Sequence, residues 1–141
     1  MIRKFETKDT ERVMQIWLEV NIETHNFVSS DYWLSQYPLV QEQILQAGIY
    51  VYEQNKEIQG FVGMMNDYLA GIFVDKKFRS MGIGKELLEC VKKIHPAFSL
   101  NVYQKNRRAV DFYLREGLSL VSKGIDEDTE EPDYTMMWNQ K

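Results

Sequence analysis

The sequence predicts an α/β protein whose helices pack on a single mixed, mostly antiparallel sheet. Four segments carry apolar residues at helical spacing, and about seven shorter segments are rich in β-branched and aromatic residues. Three of the strand segments follow one another with short polar turns, which is typical of an antiparallel meander. A strand–helix–strand unit comes after them, and a connection of that length indicates a parallel pair. With 141 residues, the chain is predicted to form one domain, residues 1–141.

The composition is that of a packed globular protein. Hydrophobic residues make up 44% and aromatic residues 13% of the chain, which is enough for a core. The formal net charge of -4 argues against a nucleic-acid-binding protein, although a local basic patch can still bind phosphates. Cys90 is the single cysteine, so no intramolecular disulfide forms and a reducing compartment is expected. Without a leader sequence or an apolar run of about 20 residues, the protein is expected to be cytoplasmic.

The chain begins with a short strand and a helix. Residues 1–5 alternate apolar and charged side chains, as a first or edge strand would. From about Asp9 the apolar side chains have helical spacing, and Asp9 or Thr10 can cap the helix. The buried stripe of this helix is predicted to consist of Val13, Ile16, Trp17 and Val20.

A loop and a second helix follow. The helical period is lost over residues 21–30, which we interpret as the end of the first helix and a loop. Ser29 or Ser30 can cap the second helix, and Pro38 is expected to kink or interrupt it. Gly48 is predicted to end that helix.

Three strands are predicted next, over residues 49–53, 58–65 and 69–74. The polar turn at residues 54–57 joins the first two strands, and a second turn lies near residues 66–67. The third strand leads directly into a glycine-rich turn, so the meander ends at this turn.

The glycine-rich turn, within residues 72–85, is predicted to bind an anion. It runs from a strand into a helix, and a helix N-terminus presents unpaired backbone N–H groups at the positive end of the helix dipole. A nucleotide P-loop would need glycine where Arg79 stands and serine or threonine where Glu86 stands. A Rossmann fingerprint starting at Gly82 would need its third glycine where Leu87 stands. Both nucleotide motifs are therefore excluded.

The second half of the chain continues with alternating helices and strands. The helix after the turn ends before Pro96, and residues 98–103 form the next strand. A short helix begins at Asn106, a good N-cap, and ends at Gly117. Two final strands are predicted over residues 118–125 and 134–138, joined by the acidic turn 126–133.

Two motifs in this order resemble those of one family. Arg79-x-x-Gly82-x-Gly84 resembles the pyrophosphate loop of the GCN5-related N-acetyltransferase (GNAT) family. Asn106-x-x-Ala109-x-x-Phe112-Tyr113-x-x-x-Gly117-Leu118 resembles the family's second motif, with Leu118 where the family usually has phenylalanine. The chain also resembles small bacterial acetyltransferases of protein or peptide amines. The resemblance covers essentially the whole chain and implies the GNAT fold, a twisted mixed sheet of about seven strands with about four helices.

The resemblance implies that acetyl-CoA is the cosubstrate, bound where the central parallel pair of strands splays apart. The strand before the turn would pair its backbone with the pantetheine arm, and the turn would hold the pyrophosphate. Asn106 would contact the coenzyme arm, and Lys76, Lys77, Arg107 and Arg108 can neutralise further phosphate. The implied coenzyme-binding residues are Ile72, Phe73, Val74, Arg79, Ser80, Met81, Gly82, Ile83, Gly84, Lys85 and Asn106. No metal is expected.

The resemblance also implies the reaction, direct attack of a primary amine on the thioester in a ternary complex. Tyr113 occupies the family's position for the general acid, which protonates the departing thiolate. His25 or Glu23 is a candidate base or acceptor-binding residue. Candidate acceptor-binding residues are Phe27, Tyr32, Trp33 and Tyr68.

The acceptor is left open by the sequence, as protein lysine, a protein N-terminus or a small amine. Asp67 and Tyr68 are further candidates for the base, because they precede the central strand. A non-catalytic acyl-CoA sensor is the alternative function, since no base stands out. The protein is expected to be a monomer or a homodimer without nucleic-acid or membrane partners.

Overall fold

The computed structural model describes residues 1–140 and contains one seven-stranded sheet with helices on both faces. The strand order is β1-β2-β3-β4-β5-β7-β6. The predicted α/β class, the seven strands and the four helices are therefore confirmed for the part of the chain that is described. The strands are β1 (Ile2–Lys4), β2 (Gly48–Gln54), β3 (Glu57–Met65), β4 (Tyr68–Val74), β5 (Ala97–Tyr103), β6 (Ser119–Ile125) and β7 (Pro132–Asn139), and the helices are α1 (Thr10–Thr24), α2 (Ser30–Gln46), α3 (Ile83–Ile94) and α4 (Arg107–Arg115).

The central parallel pair is joined at one point. Strands β2, β3 and β4 form the predicted antiparallel meander. β4 pairs with β5 in parallel only at Tyr68 and Ser99, whereas β5 pairs with β7 along its whole length. Beyond Tyr68 the edge of β4 that faces β5 is unpaired, so the two strands splay apart and leave backbone hydrogen-bonding groups open.

A β-bulge lies in β4 next to the start of this gap. Gly63 of β3 pairs with Gly71, but the following residue, Met64, pairs with Leu69. Ala70 is therefore the extra residue without a partner on β3. A bulge bends its strand and increases the local twist, and bulges are frequent beside functional sites. The bulge therefore lies two residues after Tyr68, where the gap between β4 and β5 opens.

Two hydrophobic cores lie on opposite faces of the sheet. Helices α3 and α4 cover one face, and α1 and α2 cover the other. Alternation along the strands divides the side chains between them, since Phe98, Leu100 and Val102 of β5 all point to the α3–α4 side. The face of α1 that packs on the sheet includes the predicted Val13, Ile16 and Trp17, while Val20 is only partly buried.

The structure corrects the predicted interruption of α2. The helix runs without a break through Pro38, although proline in a helix interior costs about 3 kcal/mol. One apolar stripe continues on both sides of the proline and packs in the α1–α2 core, which offsets that cost. The stripe consists of Trp33, Tyr37, Val40 and Ile44.

Two helix ends also differ from the prediction. α1 continues to Thr24 and α2 begins at Ser30, so only residues 25–29 of the predicted loop 21–30 lie between the helices. α2 ends at Gln46 with the extended Ala47 as its C-cap, and Gly48 is the first residue of β2, opposite Met64. Gly48 thus pairs in the sheet instead of ending the helix.

None of the helices within residues 1–140 is long and apolar enough to cross a membrane.

Candidate active site

A cleft of about 1000 Å³ follows the open edge of β4. Its walls are the C-terminal part of α1, the turn before α3 and one side of α4. Most of the residues predicted to bind the coenzyme line it, namely Ile72, Val74, Arg79, Ser80, Gly82, Ile83, Gly84, Lys85 and Asn106. Tyr113 lines it as well, so the structure brings the two sequence motifs together in one cavity.

Two of the predicted coenzyme residues do not line the cleft with their side chains. The Phe73 side chain points to the opposite face of the sheet and stacks on Phe61, with 5.0 Å between the ring centroids. The Met81 side chain is 65% exposed. Both were predicted through their backbone, which lies on the strand edge and in the turn.

One end of the cleft is built to hold an anion. Within the described residues, the backbone N–H groups of residues 80–85 donate no hydrogen bond, and the first N–H that does so in α3 is that of Glu86. Gly82 caps α3 in the left-handed region with φ of 82°, and Ser80 has φ of 65°, backbone conformations typical of turns whose successive N–H groups converge on an anion. Six free donors at a helix N-terminus make a strong site for phosphate oxygens.

Cations surround this end of the cleft. Arg79 and Lys85 line it, and the Arg108 guanidinium donates to the Ser80 hydroxyl across 3.1 Å. Arg108 therefore reaches the turn from α4, as expected for a residue that neutralises phosphate. The charge of this end suits a diphosphate even though the whole protein is acidic.

Glu23 is paired with these cations. Its carboxylate accepts a hydrogen bond from Arg79 and lies 3.3 Å from the Lys76 ammonium group. Although partial burial acts to raise it, the bonds from Arg79 and Lys76 hold the pKa of the Glu23 carboxyl below its usual value. The structure thus places Glu23 beside the glycine-rich turn, ionised at neutral pH.

Tyr113 lies further along the cleft, on the buried side of α4. Its side chain is 7% exposed, and its hydroxyl forms no hydrogen bond within residues 1–140. Burial, with a smaller contribution from Tyr68, raises the pKa of the Tyr113 phenol above its usual value. The phenol is therefore protonated at neutral pH and free to donate to a ligand in the cleft.

A chain of hydrogen bonds links α1 to the N-cap of α4. The Asn106 Oδ1 accepts from the backbone N–H of Ala109, and the Asn106 Nδ2 lies 3.1 Å from the His25 Nε2. The His25 Nδ1 lies 2.8 Å from the Asn21 Oδ1, and Asn21 donates to the Trp17 carbonyl. Since Asn106 Nδ2 is a donor, His25 is assigned as the tautomer that carries its proton on Nδ1.

His25 is neutral in this chain of bonds. Burial lowers its pKa to about 4, and both ring nitrogens are engaged. Its ring also packs edge-on against Tyr103, with 5.0 Å between centroids. The arrangement fixes the side chain of Asn106 and the loop after α1 in one position.

The other predicted acceptor residues lie on the α1–α2 side of the gap. Phe27 packs on Tyr103, and the Tyr32 hydroxyl donates to Asp128 across 3.2 Å. Trp33 is 7% exposed and belongs to the α1–α2 core, where it packs against His25 of the loop between α1 and α2. The Tyr68 hydroxyl donates to the Asn101 Oδ1 across 2.8 Å, bridging the two splayed strands.

Sequence reasoning missed several polar residues near the gap. Asn101 and Thr135 are bonded to each other across β5 and β7, and Tyr103 donates to Asp126. The sequence does contain polar residues at alternate positions of β5 and β7. They can be recognised as one cluster only when β5 is known to pair with β7, and the sequence does not show that pairing.

Comparison with known proteins agrees with this geometry. The model of the "Acetyltransferase (GNAT) family" matches residues 10–118. The peptidyl-lysine N-acetyltransferase YiaC of Escherichia coli (strain K12) is 35% identical over 98% of this chain and 96% of that protein. The peptidyl-lysine N-acetyltransferase YjaB of Salmonella typhimurium is 28% identical, covering 93% of this chain and 91% of that protein.

Solved structures show the same fold. The solution structure of the apo form of YjaB from Escherichia coli superposes with a TM-score of 0.85 at 24% identity, covering 100% of this chain and 98% of that one. The structure of yncA from Salmonella typhimurium with its cofactor acetyl-CoA gives a TM-score of 0.72 at 15% identity, covering 100% and 94%. At these identities the similarity concerns the fold alone.

Proposed function

The chain belongs to the acetyltransferase (GNAT) family, and from that premise we propose that it transfers the acetyl group of acetyl-CoA to lysine side chains of proteins or peptides. The predicted family is thereby confirmed. The acceptor class rests on YiaC, which is 35% identical over nearly the whole of both chains and is named for peptidyl-lysine. Of the three acceptors that the sequence left open, protein lysine is therefore the one we adopt.

The observation that carries the proposal is the arrangement of donors along the cleft. Six free N–H groups lie at one end, over residues 80–85, and the unbonded hydroxyl of Tyr113 lies deeper in the same cavity. Between them runs the unpaired edge of β4. Coenzyme A carries a diphosphate, an arm with two amides and a thiol in that order, and each would meet a matching group.

The reaction requires two proton transfers, one from the lysine ammonium group and one to the departing thiolate. A lysine amine has a pKa of about 10.4, so presenting it as the free amine at pH 7 costs roughly 4 to 5 kcal/mol. The thiol of the departing coenzyme has a pKa on the order of 8.5 if it resembles cysteine, so the thiolate gains from a nearby acid. We assign that acid to Tyr113, whose burial keeps it protonated.

In the proposed reaction the amine attacks the thioester carbonyl directly. The new C–N bond forms as the C–S bond breaks, and the amine nitrogen loses a proton to solvent. Tyr113 protonates the leaving sulfur and regains a proton from solvent. Cys90 supports the absence of a covalent intermediate, because it lies outside the cleft on α3 and burial raises the pKa of its thiol. A raised pKa leaves little thiolate to act as a nucleophile.

We propose positioning roles for His25 and Glu23, the two candidate bases. His25 holds Asn106, and its Nε2 lone pair already accepts a hydrogen bond. Glu23 is paired with Arg79 and Lys76 at the phosphate end. A base for the amine would need a free lone pair on the acceptor side of the gap.

We further propose that the reaction takes place in the cytoplasm. The free thiol of Cys90 is compatible with a reducing compartment. Whether the protein is a monomer or a homodimer stays a prediction from the sequence.

The decisive experiment is an acceptor screen with purified protein that follows release of the coenzyme A thiol. We expect release with a lysine peptide whose N-terminus is blocked, and none when arginine replaces that lysine. Small polyamines and peptides with a free N-terminus serve as competing acceptor classes. Binding of acetyl-CoA without release on any amine would favour the sensor, and parallel-line kinetics or acetylated Cys90 would contradict direct attack.

A further inference from the structure

A row of polar side chains lies on the sheet face opposite the cleft. Tyr68 of β4 donates to Asn101 of β5, and the Asn101 Nδ2 donates to the Thr135 Oγ1 of β7 across 3.0 Å. The row begins at Tyr68, where β4 and β5 separate. If the coenzyme fills the cleft on the α3–α4 side, an acceptor amine has to approach the thioester from this second face.

Asp133 extends the row by one step along β7. It pairs with Tyr103 of β5 on one side and with Gly124 of β6 on the other, and its side chain is on the same face as that of Thr135. A Cβ placed on Gly124 would lie 3.2 Å from the Asp133 Oδ1. The carboxylate therefore rests directly over the glycine, which leaves it the room to lie there.

The Asp133 carboxylate has no partner among residues 1–140. The Gln104 side chain, which lies nearby, donates to the backbone carbonyl of Asp133 and not to its carboxylate. The neighbouring Tyr103 hydroxyl donates to Asp126 instead, across 3.0 Å. The side chain is half-buried and its carboxylate has neither an ion pair nor a hydrogen bond within the described residues, so both oxygens are free to accept from a ligand.

The groups that face Asp133 are neutral or acidic. They are Tyr68 from β4, Tyr103 from β5 and Asp126 after β6. Lys105, two residues after Tyr103, is already paired with Glu131 across 2.9 Å. Burial, together with Asp126, raises the pKa of the Asp133 carboxyl above its usual value. The surroundings thus favour a cation or a proton at this carboxylate.

We infer that Asp133 binds the ammonium group of the acceptor lysine and takes its proton. This inference rests on the proposed function and adds the missing base. The lysine ammonium loses one proton to the Asp133 carboxylate, and the free amine then forms the C–N bond while the C–S bond breaks. The second amine proton passes to water as the amide forms. Tyr113 protonates the thiolate and regains a proton from water, and Asp133 releases its proton to water.

The test compares Asp133→Asn with Glu127→Gln, an exposed residue in the acidic turn that leads into β7, with the same change of charge. With a lysine peptide at pH 7, D133N should lower kcat/KM by about 100-fold or more, the usual contribution of a general base, while E127Q stays within about threefold. The Kd for acetyl-CoA, measured by calorimetry, should be unchanged in both variants. The conservative variant Asp133→Glu should recover part of the activity.

The pH profile separates a base from a carboxylate that serves only the fold. The difference between wild type and D133N should shrink as the pH rises towards the pKa of lysine, since the amine is then free without help. Equal kcat/KM for D133N and wild type, or a loss that is constant with pH, would overturn the inference. Failure of the wild type to acetylate any lysine peptide would instead contradict the proposed function.

Discussion

The carboxylate of Glu23 and the guanidinium of Arg79 form an ion pair between the last turn of α1 and the turn that precedes α3. Arg79 is one of the residues that we assign to the coenzyme diphosphate. In the ligand-free protein its charge is therefore already balanced, and the diphosphate has to share or replace this carboxylate. The affinity for the coenzyme is thus set partly by a residue that need not touch it.

Replacing Glu23 with glutamine should tighten coenzyme binding. An ion pair at a partly exposed site is worth up to about 1 kcal/mol, so the Kd for coenzyme A should fall by about two- to fivefold. Calorimetry at low salt measures this directly, and the gain should diminish at high salt because of screening. Glu19→Gln, an exposed change one turn earlier on α1, is the matched control. A Kd for Glu23→Gln that is unchanged or higher would contradict the argument.

Replacing Tyr113 with phenylalanine should separate catalysis from folding. Its hydroxyl makes no hydrogen bond within the described residues, so the fold loses no bond and the Tm should stay the same or rise slightly. Loss of the acid should lower kcat by about 100-fold, with little change in the Kd for coenzyme A. Steady-state kinetics and thermal unfolding measure the two effects. A normal kcat would remove Tyr113 from the catalytic residues.

His25 should make the stability of the protein fall in mild acid. Its pKa is about 4 in the folded protein and about 6.5 when unfolded, so the unfolded chain binds more protons between these values. The stabilisation that comes from a neutral His25 is present above pH 6.5 and is lost as the pH falls towards 4, by at most about 3 kcal/mol.

The measurement for His25 is the free energy of unfolding in urea at several pH values. His25→Gln keeps a donor and an acceptor but does not titrate, so its curve between pH 6.5 and pH 4 should be flatter than that of the wild type. Comparing the two proteins cancels the contribution of the carboxyl groups, which titrate in both. Parallel curves would show that His25 does not titrate as inferred.

Two glycines in the turn before and within α3 should respond in opposite ways to alanine. Gly82 has φ of 82° and open space around its Cα, so Gly82→Ala costs about 1 kcal/mol of backbone strain rather than a clash. Gly84 is helical, and a Cβ there meets Phe112 at an ordinary 3.7 Å. Gly84→Ala should therefore stabilise the protein by about 0.5 kcal/mol. Urea unfolding would contradict this reading if both variants shifted in the same direction.

Local sequence patterns were sufficient for the parts of the site that lie within one turn or helix. The glycine turn, the N-cap Asn106 and the position of Tyr113 follow from spacing along a single element, and the structure places all three on one cleft. The meander followed from short turns between strand segments. In each case the interacting groups are close in sequence, so the pattern contains the information.

Contacts between distant segments could not be predicted in this way. The pairing of Glu23 with Arg79 and of His25 with Asn106 depends on how α1 crosses the sheet. The continuous α2 depends on a core that outweighs the cost of Pro38. Asp133 became a candidate only because β7 pairs with β5, which puts it beside Tyr103, whereas in sequence it is one more acid in an acidic turn.

The single residue pair between β4 and β5 also has a mechanical consequence. The sheet has two halves, one formed by β1, β2, β3 and β4 and the other by β5, β7 and β6. A single residue pair, Tyr68 and Ser99, joins the backbones of the two halves. Every other pair of neighbouring strands is joined by three or more residue pairs. The sheet therefore resists twisting least between β4 and β5. A ligand in the cleft contacts β4 on one side and α4, the helix that follows β5, on the other, so it links the two halves of the molecule across this boundary when it binds.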